Sequence, residues 1–263
     1  MKAFFFLPLL ALPSAVIAQK PSDWRRTNVK PAEFAKKVDL ALLNLKDALG
    51  EATYNCLYPN GDRAQASFVN RIRDRKTFRV EFVKVADDKQ NPVSNQTIIA
   101  RSGQFTLLSV STGFKPLASG KNPGLIPASM STVSAWPRHF QQAMFSSYIT
   151  GQGSFSSLVD GLTKGDGGYT IRMESRVMQG TRGQIPQMRL LAIRKGAAVK
   201  KFGPSTIEIV ADTLRWLPMQ VRVIQANLKK QGSFYDWNSS WKGGLRFDNK
   251  WFTTPGVKVA TRS

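Results

Sequence analysis

The stretch RIRDRKTFRVEF, residues 71–82, alternates apolar and charged side chains. Its apolar members share one parity: Ile72, Phe78, Val80 and Phe82. Most of its charged members share the other: Arg71, Arg73, Arg79 and Glu81. Successive side chains of a β-strand point to opposite faces, so this pattern predicts strands with one apolar and one charged face.

The same period of two recurs along most of the chain. Predicted strands cover residues 52–58, 65–73, 77–85, 97–101, 104–110, 169–175, 187–194, 205–212, 217–226 and 233–241. Gly, Asn, Asp or Pro separates most of them, as in PNGD at 59–62 and GDGG at 165–168. Short alternating strands at this spacing are typical of a meandering antiparallel sheet.

Helical periodicity is confined to a few segments. Residues 31–49 predict one amphipathic helix, with Pro31 in its first turn and Gly50 just after its end. Its apolar residues are Phe34, Val38, Ala41, Leu42, Leu45 and Leu49. Between residues 127 and 164, one helix is expected to begin at Pro137 and a second after Ser154. Their apolar residues are Phe140, Met144, Tyr148, Phe155, Leu158, Val159 and Leu162. Residues 176–200 are interpreted as an exposed hairpin extension.

The first residues predict export from the cytoplasm. MKAFFFLPLLALPSAVIAQK has one Lys, an apolar run and a small-residue end, which is the pattern of a signal peptide cut after Ala18. Residues 19–30 would then be a flexible N-terminus, and residues 31–263 a single domain. No cysteine follows the cleavage site, so a lipid anchor there is not expected, and the predicted location is the periplasm.

The formal net charge is +21, with 38 Lys and Arg against 17 Asp and Glu. Such a charge favours anionic partners. Because the chain is expected to be exported, anionic lipid headgroups, acidic glycans or acidic proteins are better candidates than nucleic acid. Keeping the protein soluble is the simpler explanation of the same charge.

Catalytic and metal-binding patterns are sparse. The sequence has one histidine, His139, and one cysteine, Cys56, which excludes a two-histidine metal site and an intramolecular disulfide. We therefore predict no metal, no cofactor and no enzyme. A hydrolase using His139, Asp212 and Glu174 is the least favoured alternative.

The alternating strands define a candidate apolar wall. Its predicted lining residues are Ile72, Phe78, Val80, Phe82, Phe105, Leu107, Ile171, Met173, Ile207, Ile209, Met219, Val221 and Val223. The wall is either ordinary core packing or one side of a cavity that accepts an apolar ligand. The helices correspondingly either pack on the sheet as core or cover an open concave sheet as a lid.

The order of these parts resembles the LolA-like periplasmic lipoprotein carriers, within the LolA/LolB/RseB-like fold family. Four segments carry the resemblance: RDRKTFRVEF at 73–82, TIIARSGQFTLLSV at 97–110, STIEIVADTLRWLPMQVRV at 205–223 and LRFDNKWFTTPGVKV at 245–259. The resemblance implies an α+β fold: an open, half-barrel, curved antiparallel β-sheet with a lid of about three helices. The implied lid residues are Phe34, Val38, Leu42, Phe140, Met144, Phe155 and Leu158.

The resemblance also implies a function. A monomeric carrier would bind acyl chains of lipoproteins or anionic lipids, with transient membrane contact, and pass them from an inner-membrane release complex to an outer-membrane receptor. The family has an Arg-Pro pair where this chain has Asp74 and Arg75, so either Arg73 or Arg75 is expected to take the place of that Arg. Arg73, Arg75 and Arg79 are the candidates for the rim and headgroup contacts. The alternative is a sensor or assembly factor on the same fold that binds an acidic envelope protein without transporting lipid.

Overall fold

The computed structural model describes residues 23–57, 63–74, 76–87, 96–101, 104–109, 115–121, 154–164, 168–180, 183–194, 205–225 and 233–253. The strands are β1 (Arg25–Arg26), β2 (Ala48–Leu57), β3 (Arg63–Asp74), β4 (Thr77–Asp87), β5 (Gln96–Arg101), β6 (Gln104–Ser109), β7 (Lys115–Lys121), β8 (Tyr169–Gly180), β9 (Gly183–Arg194), β10 (Thr206–Asp212), β11 (Pro218–Gln225) and β12 (Ser233–Lys242). The helices are α1 (Pro31–Leu43) and α2 (Phe155–Lys164), and a short 3-10 helix covers Asn249–Phe252.

The twelve strands form one antiparallel sheet in the order β1-β8-β9-β10-β11-β12-β2-β3-β4-β5-β6-β7. It consists of two meanders, β2 to β7 and β8 to β12, in which each strand pairs with the next along the chain. The β12–β2 pair joins them, with Tyr235 opposite Cys56 and Trp241 opposite Gly50. β1 and β7 lie at opposite ends of the order, so the described strands form an open sheet, as predicted.

All ten predicted strands are present, with boundaries shifted by a few residues. Two strands were not predicted: β7, whose sequence KPLASGK lacks alternation, and the two-residue β1. Arg25 and Arg26, within the segment predicted to be a flexible N-terminus, pair with Ser175 and Glu174 of β8. Within the predicted hairpin extension at 176–200, residues 176–180 and 183–187 form the end of the β8–β9 hairpin, whereas residues 188–194 pair with the first half of β8 and with β10.

Helix α1 begins at its predicted residue and ends six residues early. Pro31 occupies the first turn, where a missing backbone N–H costs nothing, and Glu33 lies near the helix N-terminus. The helix ends at Leu43, and Asp47 then adopts a left-handed conformation with φ of 44°. Leu49 pairs with Arg71 in the sheet instead of continuing the helix. Sheet pairing therefore overrides the helical spacing of Leu49.

Helix α2 confirms the helix predicted after Ser154. Ser154 caps it, because its Oγ accepts a hydrogen bond from the backbone N–H of Ser157 at 2.9 Å. The helix predicted from Pro137, with Phe140 and Met144, lies outside the described residues, so two of the three expected helices are present in the described part. Neither α1 nor α2 has the length and apolar character needed to span a membrane.

One apolar cluster joins both helices to the sheet. It contains residues of α1 and α2 together with residues from β2 to β5 and β8 to β12. We call the sheet face that contributes these residues the helix face, and the opposite face the outer face. Phe78 and Ile207, from different meanders, are both completely buried in this cluster, so the two meanders share a core.

Candidate functional site

The candidate site is the helix face, because most of the predicted wall residues meet there. Eight of them belong to the buried cluster: Ile72, Phe78, Val80, Met173, Ile207, Ile209, Val221 and Val223. Ile171 packs against the cluster and is partly buried. The structure does not describe the side chains of Phe82, Phe105 and Leu107. The helix face thus brings residues from strands far apart in sequence onto one apolar surface.

Met219 does not join that surface. The β10–β11 pairing shifts register between Val210 and Ala211, and such a bulge reverses the direction of the side chain beside it. The Met219 sulfur accepts a hydrogen bond from Gln187 Nε2 at 3.4 Å, on the outer face. The prediction that Met219 lines the wall is therefore wrong, because strict alternation fails at the bulge.

The predicted lid residues that the structure describes lie directly against the wall. Phe34, Val38 and Phe155 are completely buried, and Leu158 is 8% exposed. Leu42 is partly buried against the same cluster, whereas Phe140 and Met144 lie outside the described residues. The apolar sides of both helices therefore pack on the helix face, where both helices approach β8.

Asp39 joins the two helices. Its carboxylate on α1 accepts hydrogen bonds from the backbone N–H of Phe155 at 2.7 Å and of Ser156 at 2.9 Å. The Ser156 hydroxyl donates a third, at 2.6 Å. A carboxylate here satisfies N–H groups that a helix N-terminus leaves free and interacts favourably with the helix dipole. We call this set of three bonds the Asp39 clasp.

The turn between β10 and β11 contacts α1 from the other side. Asp212, which is 2% exposed, accepts hydrogen bonds from the backbone N–H groups of Leu214 and Arg215 at 2.7 and 3.1 Å. This turn holds Trp216 at a φ of 59°, which is strained for a residue other than glycine. The Trp216 ring meets Phe34 edge-on at 6.2 Å, and Lys37 Nζ lies 4.5 Å from the same ring. Asp212 thus has a structural role, which counts against the hydrolase alternative.

Two tryptophans on β12 differ in their hydrogen bonding. Trp237 and Trp241 both belong to the buried cluster on the helix face. Trp241 Nε1 donates to the Pro218 carbonyl at 3.1 Å and to Ser239 Oγ at 3.0 Å. Trp237 is 3% exposed, and its buried Nε1–H has no acceptor among the residues that the structure describes.

A cation lies at one end of the helix face. Arg194 is 9% exposed and has the same parity on β9 as Leu190 and Ala192 of the cluster. Its guanidinium carbon lies 4.6 Å from the centre of the Tyr169 ring. Burial raises the pKa of the Tyr169 hydroxyl, and the charge of Arg194 opposes this effect. This pair places a positive charge beside the apolar surface.

The C-terminal strap, residues 245–253, covers part of the outer face. Its Trp251 ring stacks on Arg71 at 4.1 Å, with Arg79 at 5.8 Å, and its carbonyl accepts a hydrogen bond from Arg79 Nη1 at 3.3 Å. Both arginines also form ion pairs with Glu81. Burial, together with the charge of Arg71, lowers the pKa of Arg79. The charged side of RIRDRKTFRVEF therefore packs under the chain's own C-terminal residues.

Arg73 is held by the same strap. It donates to Asn249 Oδ1 and to the Phe247 carbonyl, both at 2.6 Å, and its guanidinium carbon lies 4.7 Å from the Phe252 ring. Arg73 and Arg79 are thus bound to groups of the protein on the outer face, while Arg75 lies outside the described residues. A headgroup role for Arg73 or Arg79 would require these contacts to be broken.

Ion pairs cross the outer face of the other meander. Arg189 bridges Glu174 at 2.5 Å and Glu208 at 2.9 Å, and Arg222 contacts Asp236 at 3.3 Å. Trp24 covers Arg189, with its ring centre 4.5 Å from the guanidinium carbon. Glu174 is thus used in an ion pair on the outer face. The described residues include no group of three or more His, Cys, Asp or Glu side chains placed to hold a metal ion.

Sequence reasoning did not identify four of these features: the Asp39 clasp, the Trp216 contact, the Trp237 N–H without an acceptor in the described part of the chain, and the stacking of Trp251. Each depends on contacts between segments far apart in the chain. Only the Asp-turn-Leu-Pro pattern at 212–218 gave a local signal, because Asp commonly accepts backbone N–H bonds in turns.

Comparisons with known proteins give structural similarities at low sequence identity. No protein-family model and no curated protein sequence matches the chain. A LolA superfamily protein from Nitrosomonas europaea is 12% identical over 87% of this chain and 100% of its own, with a TM-score of 0.36. LprF from Mycobacterium bovis is 11% identical over 83% of this chain and 96% of its own, with a TM-score of 0.39.

The complex of MucA and MucB from Pseudomonas aeruginosa is also similar, at 12% identity and a TM-score of 0.40. The match covers 85% of this chain but only 60% of that one. At such identities and TM-scores, we infer no function from the similarity. The LolA superfamily, which the order of the sequence motifs resembles, is nevertheless among the families of solved structures to which this chain is similar.

Proposed function

We propose that this protein is an envelope carrier that binds the acyl chains of lipoproteins or other lipids on its helix face. The observation that carries the proposal is the single apolar cluster shared by α1, α2 and the sheet. Twelve strands spaced about 4.8 Å apart give a sheet roughly 50 Å wide, whereas two helices about 10 Å in diameter span roughly 20 Å. The helix face is therefore wider than the described helices.

The two helices are attached in a way that would let them act as a lid. Asp47, with φ of 44°, lies between α1 and β2, and Gly168, with φ of 66°, lies between α2 and β8. Each helix is therefore followed by a residue in the left-handed conformation directly before the next strand. Polar contact between the helices is concentrated in the Asp39 clasp. Displacement of the helices would expose residues of the apolar cluster that the helices share with the sheet, and a guest hydrocarbon could then cover that surface in place of the helices.

Native mass spectrometry of the exported protein tests the proposal. Protein purified without detergent from a Gram-negative host should carry bound lipid, and monopalmitoylglycerol should displace the apolar dye N-phenylnaphthylamine from the delipidated protein. Val80→Glu places a charge on the helix face and should abolish binding, whereas Thr53→Glu, on the exposed outer side of β2, should leave binding unchanged. Lipid-free protein that binds neither dye nor lipid would refute the proposal, even if Val80→Glu fails to fold.

A sensor or assembly factor that binds an acidic protein is the second candidate. It is favoured by β1, the last described strand at one end of the sheet, whose two residues, Arg25 and Arg26, are both exposed. An acidic extended segment could add to this edge by strand pairing. Salt-sensitive capture of an acidic envelope protein by lipid-free protein, lost in Arg25→Glu/Arg26→Glu, would favour this candidate over the carrier.

A further inference from the structure

Trp237 has the properties of a ligand-binding residue. The residue is only 3% exposed, and its indole N–H lacks an acceptor among the described residues. A buried donor left without a partner is destabilising, and most native structures avoid it. A bound water would need two to four polar partners, and the residues that continue the pairing from Trp237 on the β11 side, Val221 and Ile209, are apolar.

The position of Trp237 places this donor within the candidate site. β12 is the sixth of the twelve strands in the sheet order, so Trp237 lies near the middle of the sheet. It pairs with Val221, which in turn pairs with Ile209, and both are wall residues of the buried cluster. From Trp237 to either end of the strand is roughly 15 Å. An acyl chain on the helix face would therefore run past this N–H.

Trp241 shows that an unpaired indole is not a general feature of this strand. It lies four residues further along, on the same face, and its N–H is bonded to Pro218 and Ser239. Gly50 on the neighbouring strand makes room for it, because a Cβ at that position would lie 2.5 Å from the Trp241 ring. The chain thus provides acceptors for one indole on β12 and, in its described part, none for the other.

We propose that Trp237 Nε1 donates a hydrogen bond to the ester or amide carbonyl of the bound acyl chain. The inference rests on the carrier function proposed above and specifies its ligand. Indole is a donor only, so it selects an acceptor. A neutral carbonyl suits the apolar wall beside Trp237, whereas an ionised carboxylate there would lose its hydration three strands away from Arg194, the cation at the end of this face. The site therefore favours acyl chains joined through a carbonyl over ether-linked or purely hydrocarbon chains.

A matched pair of ligands isolates this hydrogen bond. Monopalmitoylglycerol has an ester carbonyl, and hexadecylglycerol is the ether of the same chain length. Both are titrated against the full chain by displacement of N-phenylnaphthylamine, in the wild type, Trp237→Phe and the control Trp241→Phe. Trp237→Phe should weaken ester binding by roughly three- to tenfold and change ether binding less than twofold. Trp241→Phe should lower the unfolding midpoint without changing the preference for ester over ether.

Each other outcome contradicts the inference in a distinct way. If the wild type binds both ligands and Trp237→Phe weakens them equally or not at all, the carrier proposal stands and the Trp237 inference fails. If the wild type binds neither ligand, both fail together.

If Trp237→Phe does not fold, the wild type provides the test. With indole nitrogens labelled, the ester should shift the Trp237 N–H resonance downfield and the ether should not. Equal shifts with both ligands would overturn the inference.

Discussion

Replacing Asp39 with alanine should loosen the contact between the two helices. The change removes three hydrogen bonds, of 2.6 to 2.9 Å, from the first turn of α2. Bonds to a charged acceptor contribute about 1.5–3 kcal/mol each when buried, and loss of a helix cap costs about 1 kcal/mol. Asp39 is half-buried and the three bonds are not additive, so we take about 2 kcal/mol for the whole clasp.

This energy converts into a change in ligand affinity. If binding requires the helices to separate, destabilising the closed arrangement by about 2 kcal/mol raises the open fraction by a factor of roughly 30. The apparent affinity for monopalmitoylglycerol should then increase by up to the same factor. Dye displacement measures the affinity, and amide hydrogen exchange of α2 measures the opening.

Two further variants make the reasoning refutable. Asp39→Asn retains one acceptor oxygen and should give an intermediate effect. Glu33→Gln changes an exposed ion pair with Lys37 on the same helix, away from the clasp, and should leave affinity unchanged. Faster exchange in α2 with unchanged or weaker ligand affinity in Asp39→Ala would show that the helices are permanent core and not a lid.

Three other predictions concern the stability of the parts that surround the site. Trp216→Asn keeps a residue that tolerates φ of 59° but removes the ring that packs on Phe34, so the free energy of unfolding in urea should fall by about 1–2 kcal/mol; no change would contradict the contact. Gly50→Ala places a Cβ 2.5 Å from the Trp241 ring and should cost about 1–3 kcal/mol, measured as a lower thermal midpoint; an unchanged midpoint would refute the close packing. The backbone N–H of Lys250 donates a hydrogen bond that lowers the pKa of Asp248, so the stabilisation is present above the ordinary Asp pKa and is lost as the pH falls through the lowered value. The protection of strap amides, measured relative to their intrinsic exchange rates, should therefore fall in acid, below about pH 4. Asp248→Asn should remove this dependence, and identical protection profiles in acid for the two proteins would count against it.

The alternating residues allowed much of the sheet to be predicted. Parity placed Ile72, Phe78 and Val80 on one face, and all three are buried on the helix face. Prediction failed where pairing between distant segments overrode the local pattern. Leu49 continues the spacing of α1 but pairs with Arg71, and Met219 is turned to the outer face by a bulge.

The outer face could not be predicted from local pattern. Parity correctly separated Arg71 and Arg79 from the apolar residues, but it could not show what lies above them. Trp251 reaches these arginines from the C-terminal part of the chain. The two cations therefore lie against its ring, although the sequence pattern alone would place them in solvent or beside an anionic headgroup. The partners of Trp237 and Trp241 likewise depend on which strands lie beside β12.

The junction between β12 and β2 has a consequence for how the chain acquires its structure. Each meander can assemble through successive hairpins between sequence neighbours, which cost little loop entropy. The β12–β2 pair instead connects segments from near opposite ends of the described chain. We expect two independently nucleated halves and a late, slow docking step along this seam, which pulsed hydrogen exchange during refolding would detect as delayed protection of β2 and β12 amides; protection of that seam before the hairpins would reverse the order.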